Sequence, residues 1–90
     1  MDPIVRTLRL RAAELRRLAA VLDDAPLRTL GSAAAADTWV GPVADEFRLR
    51  LVELNHALDR ASTELRHQAL VLERQASARE AELLATGVAP

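Results

Sequence analysis

The stretch "VADEFRLRLVELNHALDRASTELRHQALVLERQASAREAELLAT", residues 43–86, holds neither proline nor glycine. Within it Phe47, Leu51, Leu54, Leu58, Ala61, Leu65, Ala69, Leu72 and Ala76 succeed one another in steps of three and four. That spacing is a heptad seam and predicts a helix over about 43–84. Such a helix would be roughly 60 Å long at 1.5 Å per residue. The two residues before it explain its start. Pro42 suits a first helical position, Gly41 is a permissive N-cap, and Asp45 and Glu46 fall in the first turn, where the helix dipole favours acids.

Toward the N-terminus a second helix is expected over about 3–24. Asp2 is its N-cap, and Pro3 opens it without losing a needed hydrogen bond. Ile4, Leu8, Ala12, Leu15, Ala19 and Leu22 recur every three or four residues and share a face. Pro26 then breaks the pattern at "DDAP". A short helical piece over about 27–36 and a turn at 37–42 lead into the second helix, and 85–90 form a frayed tail. Together, residues 1–90 read as a single helical-hairpin domain. Half of the 90 residues are apolar, mostly Ala and Leu, and Trp39 and Phe47 are the only aromatics. Ala, Leu, Glu and Arg favour helix, while the scarcity of β-branched residues argues against a sheet.

The fold class is therefore all-α: two antiparallel helices, because short connections make antiparallel neighbours. Ile4, Leu8, Leu15 and Leu22 are expected to meet Phe47, Leu51, Leu54, Leu58, Leu65 and Leu72 in the hairpin seam. A two-helix hairpin encloses no core. Burying an apolar side chain yields ~1.5–3 kcal/mol, against ~1–2 kcal/mol for ordering each residue's backbone. Leu10, Leu18, Val21, Leu49, Val52, Leu70 and Val71 lie off the seam and form a candidate dimer interface, covered if two hairpins pair as a four-helix bundle. Scattered exposed Leu and Val on an ordinary surface are the plainer reading.

Trp39 stands between the two helical patterns, two residues before Gly41. Either it caps the open end of the hairpin or it fills a gap in the loop. Gly41 lets the backbone pass closely or take a positive φ, and Pro42 fixes the entry to the second helix. The run "TWVGPVADEFRLRLVELNHALDRASTELRHQALVLERQA", Thr38–Ala76, resembles the WxG family, the early-secreted-antigen-like helical hairpins of type VII (ESX) secretion, in its actinobacterial form. The resemblance implies that Trp39 and Gly41 shape the turn and that hairpins pair as homodimers or heterodimers. It further implies export without a Sec signal, a secretion ATPase or an effector as further partners, and a role as carrier or chaperone. Family members often carry Tyr-x-x-x-Asp/Glu after the second helix. This chain has no tyrosine, and Ala76-x-x-x-Glu80 and Ala78-x-x-x-Glu82 keep only the acid. A cytoplasmic adaptor that shares the hairpin is the alternative.

Other functions find little material. His56 and His67 are the only histidines and would stand ~16 Å apart along one helix, too far to share a metal. Ser32, Ser62 and Ser77 have no histidine at an activating spacing, and no Gly-rich phosphate loop is present. No enzyme activity, cofactor or metal is expected. Arg6, Arg9, Arg11, Arg16 and Arg17 make the first helix basic, but the formal charge of the chain is −1 and no aromatic is placed to stack on bases, so nucleic acid is not an expected partner. No apolar run approaches the ~20 residues of a membrane span. The charged N-terminus lacks the apolar core of a Sec signal.

Overall fold

The computed structural model describes residues 1–26, 28–29 and 40–87. Of the helical piece expected at 27–36 only Arg28 and Thr29 are described, both helical; the rest of it, Trp39, the first half of the turn at 37–42 and the end of the tail lie outside these residues. Two helices, α1 (Pro3–Asp23) and α2 (Pro42–Ala85), pack against each other, and no strand occurs among the described residues. They run antiparallel, so that Arg9 near the start of α1 meets Glu80 near the end of α2. The molecule is a rod, 69 Å long and 14 Å across.

The helix ends follow from local chemistry. Asp2 caps α1, its carboxylate accepting from the backbone N–H groups of Ile4 and Val5 at 3.1 Å each. The α1 ladder ends at Asp24, whose N–H still reaches the Ala20 carbonyl. Pro26 follows two residues later, where it cannot continue the helix. At the head of α2, Gly41 takes φ 113°, a left-handed conformation that costs glycine little and an L-residue much. Its carbonyl accepts from Asp45, the first helical bond of α2.

The two stripes read from the sequence do meet, but it is chiefly their small members, Ala12, Ala19, Ala69 and Ala76, with Leu51, that are buried. On α1 the buried side chains are Val5, Ala12 and Ala19, seven residues apart. On α2 they are Ala44, Leu51, Ser62, Ala69 and Ala76. Leu8, Leu15, Leu22, Leu58, Leu65 and Leu72 lie beside this line, half-buried. Four residues expected in the seam are exposed instead: Ile4 at 49%, Phe47 at 40%, Leu54 at 50%, and Ala61. Phe47 and Leu54 lie well before Arg66, the residue of α2 that meets Asp23 at the end of α1, so α1 does not reach them. Where the two helices do face each other, small side chains hold the contact line and bulkier neighbours lie to its sides. The buried positions of α2 also step by eleven between Leu51 and Ser62, where seven is the rule elsewhere. A nearly straight helix drifts by ~20° per heptad, and an extra four residues re-centre its inward face.

A seam of methyl groups has no room for larger ones. Replacing Ala69 by Leu is expected to destabilise the hairpin by ~1–3 kcal/mol through overpacking. Ala81→Leu, on the exposed side of α2, should stay within ~0.5 kcal/mol of the parent in the same urea titration.

Candidate docking face

The hairpin has two unlike sides. On one, charged residues form a ladder beside the alanine line. Arg9 pairs with Glu80, Arg16 with Glu73 and Asp23 with Arg66. Both members of each pair recur at intervals of seven, in opposite directions along the two helices. At the free end of the rod, Asp2 adds a fourth rung, its carboxylate accepting from Arg79 Nε at 2.8 Å. Beyond α1, Arg28 pairs with Asp59.

These contacts perturb the groups that make them. The guanidinium of Arg79 and the backbone N–H of Val5 hold the Asp2 carboxyl below its ordinary range. Arg66, then Ser62, do the same for Asp23, and Arg16 does so for Glu73. Reciprocally, Glu73 raises Arg16 and Asp2 raises Arg79. Asp23 needs this company, because an acid in the last turn of a helix opposes the dipole. Ser62, the one buried polar residue among those described, donates to Asp23 at 2.8 Å and accepts from Arg66. The sequence gives Ser62 no role as a nucleophile. Its position midway between Asn55 and Ala69, in the row of seven-residue steps that ends at Ala76, is the signal that it belongs to the seam.

Half-exposed pairs add little stability, because water screens them. Their order selects the geometry. Slipping α1 by one heptad toward the C-terminal end of α2 sets Asp23 against Glu73. Slipping it the other way sets Arg16 against Arg66 and Asp23 against Asp59. A parallel arrangement sets Arg9 against Arg66 and Asp23 against Glu80. Of these four arrangements, only the observed antiparallel register leaves no like-charge rung.

The other side carries the six half-buried leucines, three from each helix. Near its middle an open groove of about 440 Å³ is lined by Arg11, Glu14, Leu15, Gln68 and Leu72. Leu18 lies on the rim, half exposed. Fully burying a leucine yields ~1.5–3 kcal/mol, and these six realise only part of it within the hairpin. The residues expected at a dimer interface are all exposed but do not share one side. Leu18 belongs with the leucines by helical position, whereas Val21 and Val71, two residues past the buried Ala19 and Ala69, point away from the seam. Leu10, Leu49 and Leu70 lie toward the outer surfaces, and Val52 falls in the row of the charged ladder. His56 and His67 are exposed, and among the described residues no group of three or more His, Cys, Asp or Glu side chains could hold a metal ion. No helix of the described residues is long and apolar enough to cross a membrane.

Two outcomes test the ladder. Arg16→Glu should lower the urea midpoint by setting acid against Glu73, and adding Glu73→Arg should recover most of the loss. The pH dependence has a definite sign. Carboxylates held low in the folded chain contribute above the pKa they have when unfolded, and that contribution is lost as pH falls through the folded value. Thermal stability should therefore stay level from neutrality to about pH 5 and decline below about pH 4, followed by circular dichroism.

No protein-family model matches the chain, and comparisons with curated proteins and with solved structures give no match.

Proposed function

We propose that the chain is a WxG-type hairpin that works by docking to another helical hairpin. In this reading it is a substrate or co-substrate of type VII (ESX) secretion, and a carrier or chaperone of an effector. The observation that carries the docking part is the leucine side of the rod: two paired helices with a buried line of alanines and six leucines left half-covered. The secretion part is supported by the Trp39-x-Gly41 triplet ahead of a long helix, with Gly41 in the conformation that a tight helix entry favours. Binding rather than catalysis is what a rod 14 Å across can offer, since catalytic and small-molecule sites are enclosed concavities.

One feature favours a second reading. The chain has no tyrosine, so the aromatic half of the family's tail signal is missing. A helical adaptor or chaperone that stays in the cytoplasm would need no such signal. A role in nucleic-acid binding has less support, since Arg9, Arg16, Arg28, Arg66 and Arg79 are engaged with acids of the same chain.

The two readings part in a culture-filtrate experiment with a lysis control, in the native host. Secretion predicts the chain in the filtrate when the secretion ATPase is active and its loss from the filtrate when that ATPase is deleted. Retention in the cells under both conditions rejects export in favour of the adaptor.

A further inference from the structure

We infer that the outer face of α2 docks an acidic helix of another protein, one with a carboxylate at every seventh residue, along the row Arg60, His67 and Arg74. This face is not the leucine side, and the inference stands apart from the docking proposed above. Each member of the row comes two residues before a buried one, Ser62, Ala69 or Ala76. Two residues turn a helix by about 200°, so the row points away from α1. All three side chains are exposed. Of the arginines of α2, Arg48, Arg50, Arg66 and Arg79 pair with acids of this chain. Arg60 and Arg74 have no such partner among the described residues, and neither has His67 between them.

The rod shows elsewhere what such a row takes. Arg9 and Arg16, seven residues apart on α1, meet Glu80 and Glu73, seven residues apart on an antiparallel helix. Arg60, His67 and Arg74 repeat that interval, about 10.5 Å along the axis, over roughly 21 Å. They are one half of a second ladder whose acidic half this chain does not supply. Leu70 and Val71 flank the row on either side, 38% and 37% exposed, and a helix laid along it covers them. The row also has a definite end. Glu53 holds the same heptad position one step before Arg60, where a further acid of the partner would meet its like. A single file of cations edged by Glu53 and Glu64 suits a rod. A membrane or a nucleic-acid backbone presents phosphates across a surface and meets those acids as well.

An NMR titration of the isotope-labelled chain tests this, with a synthetic helical peptide of about three heptads carrying Glu at every seventh position and Ala, Leu and Gln between. At low salt the amides around Arg60, His67, Leu70 and Arg74 should shift, and those of Leu15 and Leu22 should not. Exposed ion pairs are weak singly and screened by salt, so about 0.5 M salt should weaken binding at least ~tenfold. Arg60→Gln combined with Arg74→Gln should weaken it as much. Arg17→Gln, which removes an exposed arginine of α1, should leave it unchanged. All three positions are exposed, and circular dichroism checks that folding is retained. Arg60→Glu combined with Arg74→Glu should instead bind the peptide in which Arg replaces each Glu. Four results would overturn the inference. They are no binding at low salt; equal binding of a peptide of the same composition with its Glu residues grouped at one end; shifts confined to the leucine side; or a DNA duplex or phosphatidylserine vesicle that binds as tightly as the peptide.

Discussion

The approach of two helices across a line of alanines governs everything else in this molecule. Ala12 and Ala19 on one helix, and Ala69 and Ala76 on the other, bring the backbones together with methyl groups alone. Such a contact fixes helix spacing well but removes little apolar surface from water, since the benefit scales with area. Among the described residues Val5 is the largest side chain that the hairpin encloses completely. The leucines that would make a core in a thicker protein are displaced to one side. A short, close seam thus yields a well-defined rod and, at once, an incomplete one.

Division of labour between the two sides follows. Charges beside the seam contribute little energy each but define which residue faces which, through the order of signs along the helices. Leucines on the other side carry unused burial and no directional information. Orientation is settled inside one chain, and the remaining driving force points outward. The same separation of specificity from affinity is familiar at coiled-coil seams, where flanking charges choose partners and the apolar core supplies the stability.

Much of this was legible in the residues, and the failures have physical causes. Asp2-Pro3 and Gly41-Pro42 mark helix starts because capping and the fixed φ of proline are local effects, read without knowledge of the fold. The uninterrupted run after Val43 similarly predicts one long helix. The rotation of each helix about its axis is not local. One heptad frame carried along each helix includes Ile4, Phe47, Leu54 and Ala61, which are exposed, beside Ala12, Ala19, Ala69 and Ala76, which are buried. Ser62, weighed in the sequence only as a nucleophile, looks like a surface residue until Asp23 and Arg66 are placed beside it. The eleven-residue step between Leu51 and Ser62 depends on how little the long helix supercoils, which no single window of sequence reveals. The ladder, by contrast, could have been found by writing the two helices antiparallel and matching signs at seven-residue intervals.

Every cation in that ladder is a guanidinium, and the chain contains no lysine at all. A planar fork holds a carboxylate by two donors where an ammonium offers a point charge, as when Arg16 reaches both oxygens of Glu73. It also stays protonated at any alkalinity a protein survives. Acylation, ubiquitin-type conjugation and cross-linking directed at a lysine amine therefore find no side chain to modify in this sequence. Its cationic rungs lie beyond the reach of the cell's lysine chemistry.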